Sequence, residues 1–128
     1  MNVGIIGTGA IANLHARVYR RVGFTIVVCT DVIPDAARRF AAEHGCEVAA
    51  SYEDVCRHPA IDYVDVCTLP NFRLEAVEAS AASGKHVQVQ KPMATNLDTA
   101  RRMIGIAARA RILLGVVSQH RLMSRAAF

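Results

Sequence analysis

The first dozen residues constrain the fold of this chain more than any other stretch. A short apolar run at residues 3–6 is followed at once by Gly7-Thr-Gly9 and then by an alanine-rich segment with helical spacing. This order predicts a strand, a sharp glycine turn and a helix over residues 10–21. The glycines and Ala12 have the spacing G-x-G-x-x-A, which is typical of a turn that binds the pyrophosphate of a dinucleotide.

Each residue type in this turn has a physical role. Gly7 allows the chain to turn sharply as it leaves the strand, where a Cβ atom would clash. Gly9 has no side chain, so a pyrophosphate can approach the backbone, and Ala12 is small enough for the helix to pack closely on the strand. The free N–H groups at the start of the helix and the positive end of its dipole would then face the phosphates.

Asp31 is a second marker of the same kind of site. It follows the next strand-like run, residues 25–29, and lies about 20 residues beyond the glycines. An acidic residue at the tip of the second strand accepts hydrogen bonds from the adenosine ribose hydroxyls, and its charge repels a 2′-phosphate. We therefore predict a nicotinamide dinucleotide site that favours NAD over NADP. The alternative is a tight strand–helix turn in some other α/β protein.

Composition excludes several classes of function. The chain has 128 residues, of which 52% are hydrophobic, as expected for one globular domain. Its net charge of +4 comes from arginines scattered over predicted helices, so we expect no nucleic-acid partner. The four cysteines lack metal-ligand spacing, so we predict no metal and a reducing cytoplasm. With neither a signal-peptide pattern nor an apolar run of membrane length, we expect a cytoplasmic protein without a membrane partner.

The rest of the chain alternates predicted strands with predicted helices. Further strands are predicted at residues 25–29, 47–50, 63–68, 86–90 and 112–117. Further helices are predicted at residues 34–44, 51–58, 71–83 and 95–110, with Thr95 and Asp98 capping the last of them. Short turns between alternating elements predict an α/β fold, a Rossmann-type doubly wound parallel sheet with helices on both faces.

Lys91 follows the fifth predicted strand and stands directly before Pro92. Because ligands of an open α/β sheet lie outside the carboxyl ends of its strands, we expect Lys91 to share one cleft with Asp31, Thr68 and the glycine turn. A lysine there can neutralise a developing alkoxide or relay a proton from a substrate hydroxyl. The alternative is a surface lysine beside a turn proline, and spacing alone favours that alternative.

The stretch Gly84-Lys-His-Val-Gln-Val-Gln-Lys-Pro-Met-Ala94 resembles a family signature, G-K-H-V-x-x-E-K-P-x-A. The family is that of glucose–fructose oxidoreductase, inositol dehydrogenase and a rhizopine-catabolism protein (Gfo/Idh/MocA). The resemblance extends to residues 4–12 with His15, to residues 62–68 and to residues 115–121, and so covers nearly the whole chain. It favours a functional interpretation of Lys91 over the surface one.

The resemblance implies a Rossmann domain over residues 1–118 that binds NAD or NADP. It implies reversible hydride transfer between the cofactor and a sugar, an inositol or a related polyol, in homo-oligomers of the full-length relatives. Lys91 would be catalytic, contacting substrate and nicotinamide ribose and helping to move the proton. The residues implied to bind the cofactor are Gly7, Thr8, Gly9, Ala10, Ile11, Asp31, Thr68, Leu69, Gln90 and Lys91.

The chain also departs from the family pattern. The family's Glu before Lys-Pro is Gln90 here, which keeps a hydrogen-bonding group but removes a charge beside Lys91. An ungapped alignment puts Leu69 where the family has proline and Arg73 where it commonly has histidine. Family members carry a second domain with the substrate pocket and a further acid or base, and residues 119–128 would begin the connection to it. We expect the five histidines to be surface or packing residues.

Two other interpretations remain open. One is a non-catalytic NAD-binding or regulatory module derived from the same family, which the changes at Gln90 and Arg73 leave possible. The other is a different Rossmann enzyme, such as a reductase of amino-acid biosynthesis. That enzyme would not be expected to carry Gly84-Lys-His-Val together with Lys91-Pro.

Overall fold

The computed structural model describes residues 1–119 as one parallel sheet with helices on both faces. The strands are β1 (Asn2–Ile6), β2 (Thr25–Thr30), β3 (Glu47–Val48), β4 (Tyr63–Val66), β5 (His86–Gln90) and β6 (Leu114–Val117). The helices are α1 (Ala10–Arg21), α2 (Pro34–His44), α3 (Tyr52–Arg57), α4 (Arg73–Ala82) and α5 (Leu97–Ala110), and a 3₁₀ turn at Pro70–Phe72 precedes α4.

The strands follow the order β3-β2-β1-β4-β5-β6, and every neighbouring pair is parallel. This is the strand order of a doubly wound dinucleotide-binding fold, so the predicted fold class is confirmed. Within residues 1–119, no helix has both the length and the apolar character that crossing a bilayer requires. The connection predicted at residues 119–128 lies outside the described residues except for Gln119.

Local sequence signals set most of the element boundaries. Pro34 occupies the first turn of α2, and Gly45 ends that helix in the left-handed conformation at φ 73°. Ser51 caps α3 by accepting a hydrogen bond from the Asp54 N–H. The predicted cap of α5 is wrong by one residue, because Asn96 rather than Thr95 accepts the N–H of the first turn.

Each face of the sheet has its own apolar core. Val3 and Ile5 of β1 pack with α1 and α2 on one face, where alanines and Phe40 fill the space between strand and helix. Ile6 and the valines of β4 pack with α3, α4 and α5 on the other face, around the buried Met103. Because both faces are covered, β1 and β2 carry nearly continuous apolar runs instead of alternating with polar residues.

Gly4 allows α3 to approach the sheet closely. A Cβ atom at Gly4 would lie 2.7 Å from Cγ1 of Val55 in α3 and 2.9 Å from Cδ1 of Ile61. Both contacts are shorter than packed carbon atoms tolerate, so any side chain at this position must displace the helix or the loop that follows it.

We therefore expect Gly4→Ala to lower the free energy of unfolding by about 1–3 kcal/mol. Gly9→Ala is the matched control, since Gly9 has φ −73° and a Cβ there meets no described atom within 4 Å. Urea denaturation followed by circular dichroism measures both. Equal unfolding midpoints for the two variants would contradict the close approach at Gly4.

His44 links the end of α2 to α1 from a buried position. Its side chain is 3% exposed, and its Nε2 donates to Oδ1 of Asn13 at 2.9 Å. Burial lowers the pKa of His44; Glu43 opposes this shift, and the positive charges of Arg20 and Arg17 add to it. The ring is therefore neutral in the folded protein near neutral pH.

The lowered pKa makes the fold sensitive to acid. As the pH falls below about 6.5 the unfolded chain takes up a proton at His44 before the folded chain does, so acid favours unfolding. This one group makes stability fall by at most about 1.4 kcal/mol per pH unit. Urea titrations from pH 7.5 to 5.5 should show a smaller loss of stability in His44→Gln than in the unsubstituted chain. The same pH dependence in both proteins would contradict this role.

Candidate functional site

The predicted site residues converge at the carboxyl edge of the sheet, where β1 ends between β2 and β4. The Gly7 N–H donates to the Thr30 carbonyl at 2.9 Å, and the Cys67 N–H donates to the Ile6 carbonyl at 2.8 Å. Gly7 has φ 87°, and a Cβ there would lie 3.1 Å from Cγ2 of Thr68. Only a glycine therefore lets the chain leave β1 between its two neighbours.

The turn after β1 exposes the start of α1. Gly9 is the residue before the helix and makes no side-chain cap, and the first turn of α1 contains no acidic residue. Among the described residues, nothing lies within 4 Å of a Cβ built at Gly9. The start of α1, at the positive end of the helix dipole, is thus left uncapped by a side chain and open beside Gly9, an arrangement that fits a pyrophosphate on the N–H groups of Ala10 and Ile11.

Asp31 is tied to the glycine turn by its carboxylate. Its Oδ2 accepts the Thr8 N–H at 2.7 Å and the Thr8 hydroxyl at 2.9 Å, and its Oδ1 accepts the Ile33 N–H at 2.9 Å. Partial burial acts to raise the pKa of Asp31, but the hydrogen bonds from Thr8 and Ile33 outweigh it and hold that pKa below its usual value. The sequence predicted an acid at the tip of β2 but not this contact with Thr8.

A depression of about 340 Å³ opens beside the glycine turn, between α1 and α2. Thr8 and Gly9 form one wall, and Arg39 and Glu43 of α2 line another. Arg38 lies next to Arg39 in sequence but pairs with Asp35 on the exposed side of α2. Arg39 is thus a positively charged residue that lines the depression beside the turn.

Arg73 ties the ends of β4 and β5 together. It is 3% exposed, and its Nε and one terminal nitrogen donate to the Thr68 carbonyl at 3.0 and 2.6 Å. The other terminal nitrogen donates to the carbonyls of Gln90 and Pro92. Burial lowers the pKa of Arg73, and nearby Cys67 opposes that shift. Arg73 therefore holds the backbone on both sides of Lys91.

The remaining predicted residues lie at the same edge. Lys91 is exposed, joins Pro92 through a cis peptide bond, and donates its backbone N–H to Oε1 of Gln90 at 3.0 Å. Leu69 is exposed beside Thr68, while Gln90 is buried. The structure thus brings the glycine turn, the acid after β2 and the Lys-Pro segment to one edge of the sheet.

Sequence reasoning missed a buried polar cluster under this edge. Asp65 of β4 is 0% exposed; its Oδ2 accepts the Tyr19 hydroxyl at 2.6 Å and faces His15 Nδ1 at 2.7 Å. Gln88 Nε2 lies 3.4 Å from Oδ1 of Asp65, and Gln90 Nε2 lies 3.1 Å from His15 Nε2. The available signal was the one charged residue in an otherwise apolar strand, which the sequence shows but does not connect to His15.

Three donor atoms of the cluster lie within 4.8 Å of one another: His15 Nδ1, Asp65 Oδ2 and Cys67 Sγ. Burial raises the pKa of the Cys67 thiol, and the Asp65 carboxylate raises it further. A protonated thiol is a poor metal ligand, and Asp65 already accepts two hydrogen bonds through the same oxygen. The arrangement therefore fits a hydrogen-bonded cluster better than a metal centre.

The strand order, the glycine turn and the tethered acid together define an NAD(P)-binding Rossmann domain. Residues 1–118 match the sequence model of the family described as "Oxidoreductase family, NAD-binding Rossmann fold". The chain belongs to this Gfo/Idh/MocA family, and the predicted resemblance is confirmed.

Known relatives agree with this assignment. The chain is 34% identical over 118 residues to the myo-inositol 2-dehydrogenase of Thermotoga maritima, an alignment that covers 89% of this chain and 35% of the relative. The chain therefore spans about a third of the length of this relative, which fits an N-terminal Rossmann domain.

Solved structures of the same architecture carry either cofactor. The WlbA dehydrogenase of Bordetella pertussis in complex with NADH and UDP-GlcNAcA is 27% identical, with a TM-score of 0.91 over 95% of this chain and 36% of that one. The biliverdin reductase of Synechocystis with biliverdin and NADP⁺ is 27% identical, with a TM-score of 0.87 over 94% of this chain and 39% of that one. These likenesses support a nicotinamide dinucleotide without distinguishing NAD from NADP.

Proposed function

We propose that this chain binds NAD, and that the protein it belongs to transfers hydride between NAD and a hydroxyl carbon of a sugar, an inositol or a related polyol. The observation that carries the choice of NAD is the ionised carboxylate of Asp31, held beside the glycine turn by Thr8. The carboxylate would face the adenosine ribose. There it would accept hydrogen bonds from the ribose hydroxyls, and its negative charge would repel a 2′-phosphate. The named activity of the Thermotoga relative supports the polyol class.

The exposed backbone at Gly9, Ala10 and Ile11 would hold the pyrophosphate. Because the sheet order reverses between β1 and β4, the adenosine half would lie over β2 and the nicotinamide half over β4 and β5. Thr68 and Leu69 would contact the cofactor between these halves. The bound nicotinamide supplies the hydride acceptor or donor.

Lys91 would act at the substrate hydroxyl. Its exposed side chain follows β5, at the nicotinamide end of the cleft. There its amine form would accept the hydroxyl proton as hydride leaves the carbon, and the ammonium so formed would return that proton to the carbonyl oxygen in the reverse direction. Efficient turnover also needs the substrate held against the nicotinamide, which we assign to the part of the protein beyond this chain. We place the protein in the cytoplasm, where its four free thiols stay reduced, and expect it to be a homo-oligomer.

The first test is a fluorescence titration of the chain with NADH. Asp31→Asn keeps the shape of the side chain but removes its charge, and we expect it to weaken NADH binding by about tenfold or more, the value of a hydrogen bond to a charged group. Gly9→Ala should weaken binding without loss of stability. Asp35→Asn, an exposed acid of α2, is the control and should bind normally. Preference of the unsubstituted chain for NADPH would overturn the role of Asp31.

The second candidate cofactor is NADP, because Arg39 lines the depression beside the glycine turn. If its guanidinium reaches a 2′-phosphate, Arg39→Gln should weaken NADPH binding about tenfold and leave NADH binding unchanged. Arg38→Gln is the matched control, since Arg38 points to Asp35 instead. Equal effects of Arg39→Gln on both cofactors in the same titration would show that Arg39 does not distinguish them.

A further inference from the structure

We propose that Asp65, His15 and Gln90 form a chain of hydrogen bonds with one fixed direction, which positions Lys91 at the nicotinamide end of the cleft. His15 and Asp65 are then positioning residues, acting on Lys91 through Gln90. The proposal rests on the proposed function for the identity of the ligand, whereas the direction of the hydrogen bonds depends only on the described residues.

The direction follows first from the backbone of Lys91. Its N–H can only donate, and it lies 3.0 Å from Oε1 of Gln90, so this end of the amide must be the oxygen. The amide nitrogen of Gln90 then lies 3.1 Å from Nε2 of His15. Because an amide nitrogen can only donate, Nε2 of His15 must accept, and the ring proton must be on Nδ1.

The Asp65 end of the hydrogen-bonded chain indicates the same tautomer of His15. A carboxylate oxygen accepts hydrogen bonds, and Asp65 Oδ2, which also accepts the Tyr19 hydroxyl, lies 2.7 Å from Nδ1 of His15. Nδ1 must therefore carry the proton, as the Gln90 end requires. Burial and the Asp65 charge raise the pKa of Tyr19 far above its usual value, so the Tyr19 hydroxyl also keeps its proton and donates to Asp65.

The cluster is placed to act on the site more than to stabilise the fold. Asp65 is wholly buried, its one ionisable basic partner within residues 1–119 is His15, and His15 is neutral in this arrangement. A buried carboxylate without a cationic partner contributes less to stability than apolar side chains of the same volume. Its hydrogen bonds lead instead from the middle of β4 to the end of β5.

Lys91 is consequently held from two sides. The side chain of Gln90 accepts the Lys91 N–H, and Arg73 donates to the carbonyls of Gln90 and Pro92. A turned Gln90 amide would place its oxygen against the unprotonated Nε2 of His15 and its NH₂ group against the Lys91 N–H, so both contacts keep the amide in this orientation. The segment is therefore fixed before a cofactor binds, as a site that orients a reacting group requires.

The glutamine at position 90 requires this neutral form of His15. A ring protonated on both nitrogens would place the Nε2 proton against the Gln90 amide protons. Gln90→Glu would replace that donor by a carboxylate oxygen, which favours a proton on Nε2 as well. In this variant the imidazole of His15 should therefore carry a proton on both nitrogens instead of on Nδ1 alone.

Long-range ¹⁵N–¹H correlation spectra of the labelled 128-residue chain test the direction of the hydrogen bonds. At pH 7 we expect His15 to carry a proton on Nδ1 and none on Nε2, and Gln90→Glu to add a proton on Nε2. A ring protonated on Nε2 alone, or on both nitrogens in the unsubstituted chain, would overturn the proposal.

Two substitutions of His15 test the positioning of Lys91. His15→Leu removes both hydrogen bonds, whereas His15→Gln retains one donor and one acceptor. We expect His15→Leu to speed hydrogen exchange at the Lys91 amide about fivefold, as the loss of one ordinary hydrogen bond predicts, and His15→Gln to restore most of the protection. Unchanged exchange in His15→Leu would contradict the proposal, and if this variant does not fold, exchange in His15→Gln and the ring spectra decide.

Binding of two ligands separates positioning from a purely structural role. His15→Leu should weaken NADH binding about fivefold and leave ADP-ribose, which lacks the nicotinamide, unaffected. Tyr19→Phe is the control, because it removes another donor to Asp65 that is not part of the chain to Gln90 and should not change the ratio of the two affinities. Equal weakening of both ligands by His15→Leu would overturn the proposal. Failure of the unsubstituted chain to bind either ligand would overturn the proposed function alone, since the spectra and exchange rates still test the positioning.

Discussion

The whole cleft depends on the passage of the chain through Gly7, between the ends of β2 and β4. The Gly7 N–H bonds the Thr30 carbonyl on one side, and Thr68 leaves no room for a Cβ atom on the other. Three residues separate the end of β1 from α1, which begins at Ala10 without a side-chain cap. Asp31 then anchors the turn through Thr8. The two halves of the cleft meet at this one position, where the order of the sheet reverses.

Buried polar side chains connect the strands to the residues at the carboxyl edge of the sheet. Arg73 binds carbonyl groups at the ends of both β4 and β5, and Asp65 directs a hydrogen-bonded chain through His15 to Gln90. Such groups are costly to bury, and they are tolerated because nearly every donor and acceptor finds a partner. The apolar core determines where the strands lie, whereas these few polar contacts determine how the Lys91 segment is presented.

Much of the fold could be predicted from short-range patterns. The glycine turn and the helices predicted at residues 10–21 and 34–44 occur where they were predicted, because the residues that begin and end them act within a few positions. The errors have physical causes. Thr95 and Asn96 are both good capping residues, so residue type alone does not choose between them, and in the structure Asn96 accepts the Thr99 N–H. The third strand is shorter than predicted because it pairs with β2 through only two residues.

The sequence by itself determined the alternation of strands and helices, the glycine turn and the acid after β2, because each depends on spacing between neighbours in the chain. The resemblance in sequence indicated the family and favoured a functional role for Lys91. Only the tertiary structure decided that Asp65 meets His15, 50 residues away in the chain, that His15 meets Gln90, and that Arg73 holds the backbone around Lys91. These contacts join residues from different elements, and no local spacing encodes them. Their geometry is set by how the helices pack on the two faces of the sheet.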